Sequence, residues 1–283
     1  MSEDGFTARR TAYRKLHESG CFVVPNPWDA GSALYLRHLG FKALATTSAG
    51  YAFSLGLPDA AVSRDAMLAN IAAIVAAVDL PVNADFESGY APDPAGVAAN
   101  VRLCIDTGVA GLSIEDSTGD KASPLFELPR ALERVRAARA AIDATNSGVV
   151  FTARAECFLV GHPDPLKESL RRLEAYADAG ADVLYAPGIA TSEDIKTLVS
   201  AVSPKPVNIL MSRNTGLTVQ DLAELGVRRI SVGSSLSRAA WTAFMHAAEA
   251  IAKEGSFRGF DNLVPYAEIN GFFRDATSPE PRS

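Results

Sequence analysis

Three carboxylates stand where short apolar runs end. Asp85 and Glu87 follow Pro81–Ala84, and Glu115 follows Gly111–Ile114. Acids held close together repel, and a hard divalent cation relieves the repulsion. Mg²⁺ takes one or two carboxylates and keeps waters, which leaves positions for a substrate oxygen. Mn²⁺ is the alternative for the same donors. Any one of these acids could equally cap a loop or pair with Arg or Lys; the case for a metal rests on three at corresponding positions. His17, His38, His162 and His246 are dispersed, as are Cys21, Cys104 and Cys157, so no zinc-type ligand set forms.

Other polar residues fall at equivalent places. Thr46, Thr47 and Ser48 close the run that starts at Ala43, with Ala49 and Gly50 next. Arg154 and Glu156 follow Val149–Ala153, and Asn208 lies inside Pro206–Leu210. A guanidinium can grip a carboxylate or phosphate through two parallel N–H bonds. Arg154 is the candidate for that role, with pairing to Glu115 or Glu156 as the plainer alternative. Gly233-Ser234-Ser235 could hold an anion on backbone N–H groups, or be an ordinary turn. The loop Ser117–Leu128 has the length and polarity of a lid, with Lys121 and Ser123 as its reactive types.

The elements that must position these residues form an alternation. Eight apolar runs, Cys21–Val24, Ala43–Thr47, Pro81–Ala84, Gly111–Ile114, Val149–Ala153, Val183–Tyr185, Pro206–Leu210 and Arg229–Val232, alternate with segments of helical period. Met67, Ile71, Ile74, Val75 and Val78 share one helical face, as do Leu132, Val135, Ala138 and Ile142. Gly40, Gly108, Gly180 and Gly226 each follow a helix and precede a strand. Thr191 and Thr218 start helices as caps. The pattern predicts a (β/α)₈ TIM barrel, a single domain with the barrel over about 20–253. An open doubly wound sheet would want a glycine fingerprint after its first strand, and Pro25-Asn26-Pro27-Trp28 stands there instead. In a barrel the strand C-termini carry the chemistry, so the residues above share one face.

Two pieces lie outside the eight units. Residues 5–19 predict a leading helix. A long helix over 234–253 is followed by an apolar segment, Asn262–Phe273, which predicts a helical extension over 260–275. That segment must bury itself on its own barrel or on a partner subunit. The polar tail 276–283 predicts a frayed end.

Composition bounds the function. The 283 residues carry 27 basic and 33 acidic side chains, a net charge of −6, which argues against a general nucleic-acid binder. No run approaches the ~20 apolar residues of a membrane span. The absence of an apolar leader and the odd, scattered cysteines predict a cytoplasmic protein without disulfides.

The motifs resemble those of the isocitrate lyase/phosphoenolpyruvate mutase superfamily over about residues 20–275. Ser54-Leu55-Gly56-Leu57-Pro58-Asp59 resembles the loop after strand two that ends in an active-site aspartate. Asp85-Phe86-Glu87-Ser88-Gly89-Tyr90 resembles D-x-D-x-G-[YF]-G, with Glu for the second Asp and without the final Gly. Gly111–Asp116 resembles G-x-x-I-E-D, and Lys121 stands where members place a gating-loop lysine. The resemblance implies Mg²⁺ held by Asp85, with Glu87 and Glu115 acting directly or through water. It implies a substrate carboxylate on Ser48, Ala49 and Gly50 beside Thr47 and Asn208, with Arg154 clamping the substrate and Asp59 near the breaking bond. Lys121 and Ser123 would act from the gating loop. It also implies a dimer of dimers with C-terminal helices swapped between barrels.

The departures narrow the activity. Isocitrate and methylisocitrate lyases carry K-[KR]-C-G-H in the gating loop, where this chain reads Lys121-Ala122-Ser123-Pro124-Leu125. Serine cannot imitate a thiol near neutrality. The lyase glutamate after strand six is replaced by Ala186-Pro187-Gly188. The K-T-N-S of phosphonate enzymes is not intact either. The expectation is therefore a Mg²⁺-dependent lyase-type enzyme, not a true isocitrate lyase, that cleaves a C–C bond in, or decarboxylates, a small 2-oxo or 2-hydroxy dicarboxylate through an enolate. The alternatives are P–C mutase or hydrolase chemistry on phosphonopyruvate or phosphoenolpyruvate, and a barrel that binds a 2-oxoacid with little catalysis.

Overall fold

The computed structural model describes residues 3–278. Within them the chain forms eight parallel strands: β1 (Phe22–Val24), β2 (Leu44–Ala45), β3 (Val82–Asp85), β4 (Gly111–Glu115), β5 (Val150–Arg154), β6 (Val183–Tyr185), β7 (Val207–Leu210) and β8 (Arg229–Ser231). The helices are α1 (Glu3–Leu16), α2 (Ala30–His38), α3 (Ser48–Ser54), α4 (Arg64–Ala77), α5 (Pro94–Asp106) and α6 (Leu128–Ala144). They continue with α7 (Pro165–Asp178), α8 (Ser192–Ala201), α9 (Val219–Glu224), α10 (Ser235–Glu254) and α11 (Tyr266–Thr277). Strand order runs β1-β8-β7-β6-β5-β4-β3-β2. The gap between β1 and β2 is bridged by the Ala45 N–H donating to the Pro25 carbonyl at 3.1 Å. The fold is the predicted (β/α)₈ barrel.

Local chemistry sets the boundaries. Ser63, Asp93, Thr191 and Thr218 each accept an N–H from the first turn of α4, α5, α8 and α9. Asp29 and Ser32 form a reciprocal capping box at α2. Gly180 takes a left-handed φ of 102° to end α7, a conformation costly with a Cβ. β3, β4 and β5 run one residue further than the apolar pattern suggests, so Asp85, Glu115 and Arg154 are terminal strand residues rather than the first of their loops, whereas β2 and β8 stop short of the expected Thr47 and Val232. Paired backbone therefore aims all three.

Most of the apolar core lies between the strands and the helix ring, where Leu112, Phe151, Leu184 and Ile209 meet residues such as Ile71, Val101, Ile142 and Leu198. The barrel interior is different. Its lower part is filled by Val24, Ala43, Ala45, Ala110, Val150 and Val183, together with Tyr13 from α1, which is fully buried. A Cβ on Gly111 would lie 2.6 Å from the Tyr13 ring, so that glycine admits the tyrosine. Small interior side chains leave space above it, and the polar residues line that space.

The two outlying pieces are helical. The leading helix begins at Glu3 rather than residue 5 and ends at Leu16. The extension is displaced toward the C-terminus: a 3₁₀ turn at Arg258–Phe260 precedes α11, because Pro265 delays the helix start. α11 packs on α2 of its own chain, with the Phe272 ring 5.4 Å from Tyr35 and 5.3 Å from His38. Of the tail expected to fray, residues 276 and 277 are helical and 279–283 lie outside the described residues. Among the described residues no helix is long and apolar enough to cross a membrane.

Candidate active site

A polar cavity of about 170 Å³ opens at the C-terminal ends of the strands. Asp59, Asp85, Arg154, Tyr185, Thr47, Ser48 and Ala49 line its wall, and Asn83, Ser113, Asn208 and Arg229 line its deeper part. The strand register brings distant residues together. β4 and β5 pair Glu115 with Arg154, and β5 and β6 pair Arg154 with Tyr185.

Arg154 organises the wall. Its Nη1 lies 3.2 Å from Glu115 Oε2 and 3.5 Å from Asp85 Oδ1, and its Nε donates to Glu156 Oε1. Its carbon centre lies 5.4 Å from the Tyr185 ring centroid. Burial opposes the guanidinium charge, but Glu115 and Glu156 outweigh it and hold the group well above its ordinary value. Burial raises the Glu115 and Glu156 carboxyls despite Arg154, so the acids outnumber the cation that serves them. Burial also pushes Glu87 up to about 7, against the hydrogen bond from Tyr90 Oη at 2.8 Å and with Asp85 adding to the rise. Glu87 is held at φ 46°, a left-handed backbone that carries its side chain out of the strand.

Asp85 is fixed from two elements. Its Oδ2 accepts the Ser48 N–H at 3.0 Å and the Ser48 hydroxyl at 2.9 Å, and its own N–H donates to Thr46 Oγ1. Thr47 caps α3 by accepting the Gly50 N–H at 3.2 Å. The N–H groups of Ser48 and Gly50, expected to hold a substrate carboxylate, are thus already engaged, and Gly50 does not line the cavity. Of that turn, Ala49 lines the wall, and its N–H has no such bond among the described residues. Likewise the Gly233 N–H donates to Asn26 Oδ1 at 2.9 Å, which makes Gly233-Ser234-Ser235 a turn pinned to the end of β1.

The remaining sequence candidates divide. Asp59 lies on the cavity rim, and Asn208 sits deep in the wall with its Nδ2 donating to Ser231 Oγ at 2.9 Å. Glu87 and Glu115 stand behind the wall rather than on it. Lys121 and Ser123 are exposed on a loop that folds on itself, with a backbone bridge from Ser117 to Leu125 and the Thr118 hydroxyl donating to the Ser123 carbonyl at 2.5 Å. They do not line this cavity. Asp116 is structural: its Oδ2 accepts from Arg172 at 3.0 Å and from Tyr176 Oη at 2.7 Å, and its Oδ1 accepts the Glu156 N–H.

Sequence reading missed Tyr185 and Arg229 as site residues. Both lie inside apolar strands, and a charged residue within a strand that otherwise reads Ile-Ser-Val was the available signal.

Among the described residues, no three Asp, Glu, His or Cys side chains already converge as a closed ligand cluster. The donors still suit a hard cation. Asp85 presents a fixed carboxylate, and Glu87 and Glu115 hold protons more tightly than usual in a site crowded with acids. A divalent ion would relieve that crowding, and Asp85, Glu87 and Glu115 are the residues that would hold it.

A family model described as phosphoenolpyruvate phosphomutase matches residues 13–252. A crystal structure of a Burkholderia cenocepacia J2315 chain, provisionally classed as a lyase or mutase, is 46% identical and superposes with a TM-score of 0.93, covering 98% of this chain and 99% of that one. The 2-methylisocitrate lyase of Escherichia coli (strain K12) is 31% identical over 236 residues, which span 81% of this chain and 79% of that enzyme. An oxaloacetate acetylhydrolase, whose structure holds its product oxalate, is 27% identical with a TM-score of 0.83, covering 95% and 96%.

Proposed function

Because this chain belongs to the isocitrate lyase/phosphoenolpyruvate mutase superfamily, we propose that it is a Mg²⁺-dependent lyase-type enzyme acting on a small 2-oxo or 2-hydroxy dicarboxylate. It cleaves a C–C bond, or decarboxylates, through an enolate. One observation carries this reading: Asp85 and Arg154 meet on the wall of a small polar cavity at the strand C-termini, 3.5 Å apart, each held by buried neighbours.

Mg²⁺ held at Asp85, with Glu87 and Glu115 behind water, would supply Lewis-acid polarisation of the 2-oxygen. The chain's own residues do the rest. Arg154 exchanges part of its contact with Glu115 and Asp85 for the substrate carboxylate and the oxyanion beside it, and its N–H groups are pre-aimed because β5 fixes the backbone. Ala49 offers a wall N–H, and Ser48 holds Asp85 in place. Asp59, which lines the cavity rim, would sit near the bond being broken. Lys121 and Ser123 reach the site only if their loop refolds toward the cavity.

The oligomer belongs to the same proposal. A homotetramer, a dimer of dimers, is supported by the apolar surface of α10, α11 and the segment joining them, where Phe244, Leu263 and Tyr266 are largely exposed.

The test is turnover with Mg²⁺ against oxaloacetate, substituted malates and phosphonopyruvate, read by product NMR. Release of a C–C or decarboxylation product that depends on Mg²⁺ is expected. Phosphonopyruvate turnover alone would move the enzyme to P–C chemistry. Mg²⁺-dependent thermal stabilisation by a 2-oxoacid without product would make it a binding barrel.

A further inference from the structure

The cavity floor holds a charge that the proposed reaction leaves unused. Arg229 opens β8, is 3% exposed and lines the deep end of the cavity. Its Nε donates to Asn208 Oδ1 at 2.9 Å, Nη1 to Tyr13 Oη at 3.0 Å and Nη2 to Thr152 Oγ1 at 3.0 Å. All three acceptors are neutral. A guanidinium has five N–H groups, so two have no acceptor among the described residues. A desolvated cation without a counter-charge is costly and is relieved by an anion.

Two further observations point to a polar occupant. Asn83 Oδ1, at the same floor, is buried without a partner among the described residues, and as an acceptor it calls for a donor such as a substrate hydroxyl or a water beside the anion. Arg154, higher on the wall, already faces Asp85, Glu115 and Glu156, so its charge is largely spoken for. A dianionic substrate needs positive charge from elsewhere, and Arg229 lies on the same continuous cavity.

We propose that Arg229 forms an anion subsite at the cavity floor that receives one carboxylate of a dicarboxylate substrate, directed down the barrel axis. This rests on the reading of the cavity as a site for a small diacid. Asn208 and Tyr13 are positioning residues for it: they hold the guanidinium flat beneath the cavity, and Tyr13 does so from α1, which makes the leading helix part of the site's floor.

The first experiment needs neither metal nor turnover, so its failure is separable from failure of the lyase reading. Crystals of the metal-free protein are soaked in bromide alone, and anomalous scattering locates the ion. A bromide against the Arg229 guanidinium is expected in the native protein and in Arg229→Lys, and none in Arg229→Gln. Water alone at the native floor, or bromide retained in Arg229→Gln, overturns the subsite. The second experiment measures affinities for malate and pyruvate by calorimetry with Mg²⁺. Arg229→Gln should weaken malate at least tenfold and leave pyruvate within twofold; equal losses, or none, mean a structural role only. If Arg229→Gln does not fold, Arg229→Lys carries this arm, since a lysine cannot bridge two carboxylate oxygens. A threefold or greater loss confined to malate supports the subsite, and unchanged affinity for both overturns it.

Discussion

Glu115 and Arg154 are register partners across β4 and β5, and their side chains meet at 3.2 Å. The pair is set by strand pairing, so the cation cannot drift from the acid without disturbing the sheet. The same guanidinium reaches Asp85 from β3 and Glu156 just beyond β5. One positive charge thus restrains three acids in a buried site, and a substrate anion must compete with them for it. That competition favours a ligand that brings its own counter-charge, the role proposed above for a divalent metal.

Arg154→Met should cost both stability and function. It leaves Glu115 and Glu156 buried without a cation, a change typically worth about 3–5 kcal/mol. Urea unfolding at neutral pH should show a loss of that order. Arg154→Lys should recover part of the stability, but not oxalate binding, because an ammonium lacks the two-pronged geometry. Native-like unfolding of Arg154→Met would mean that the acids are already protonated and need no partner.

Asp85 is the residue on which metal dependence should hinge. Asp85→Ala removes the carboxylate and also the acceptor for Ser48. Asp85→Asn keeps an acceptor and removes only the charge. Both should abolish the Mg²⁺-dependent part of oxalate binding in calorimetry, oxalate being a mimic of the pyruvate enolate. Native oxalate affinity that is the same with and without Mg²⁺ would remove the metal from the mechanism.

Isocitrate and 2-methylisocitrate should turn over only at background rates. Ser123 replaces the gating-loop cysteine and is exposed on a self-bonded loop. Ser123→Cys should not rescue activity, because Ala186-Pro187-Gly188 also lacks the lyase glutamate. Robust glyoxylate release from isocitrate by the native chain would refute this.

The barrel was legible because the hydrophobic period, the capping residues and the helix-ending glycines all agree, and Asp85, Glu115 and Arg154 were legible because they end apolar runs. What the pattern could not reveal was how much of each polar side chain is already committed. Asp116 looks like a site acid, but Arg172 and Tyr176, 56 and 60 residues further along, claim it. The Ser48 and Gly50 N–H groups look available until Asp85 and Thr47 take them. Arg229 sits inside a strand, and only the closed barrel turns that position into a cavity floor. These are long-range pairings, and a linear reading carries no distance between β3 and α3, or between α1 and β8.

His17 should make the fold acid-sensitive. Its Nδ1 lies 2.8 Å from the Tyr13 carbonyl, so the neutral ring donates there, and its buried Nε2 has no partner among the described residues. Burial, then Arg229, push its pKa down to about 3 from an ordinary 6.5. The unfolded chain therefore binds a proton that the folded chain refuses. Stability is full above pH 6.5 and falls as the pH drops toward 3, at up to ~1.4 kcal/mol per unit from this group. His17→Gln should flatten the slope of urea-derived stability between pH 6.5 and 4.5 relative to the native chain. Parallel slopes would show that His17 is not the sensor.

The C-terminal region should govern assembly. α11 lies on α2 through Phe272, yet Tyr266 is 83% and Leu263 65% exposed, and Ile269 and Phe273 are also open on this face. An apolar groove between α2 and α11, lined by Tyr35, Leu39, Val264 and Ile269, runs alongside. Each large apolar side chain is worth ~1.5–3 kcal/mol when fully buried, so a solitary chain forgoes a substantial gain. Covering this surface with the same surface of a second copy satisfies the self-complementarity of a two-fold interface. The left-handed Gly255 ends α10, and the Gly255–Gly259 connection is the place where the chain would diverge if α11 seats on a neighbour's α2 rather than on its own. Deleting residues 260–283 should therefore shift the protein from a tetramer toward smaller species in light scattering at micromolar concentration, while circular dichroism still reports the barrel. A native chain that runs as a monomer under those conditions would defeat the assembly proposal and leave the cavity chemistry standing, since Asp85, Arg154 and Arg229 are all placed by the strands of one barrel.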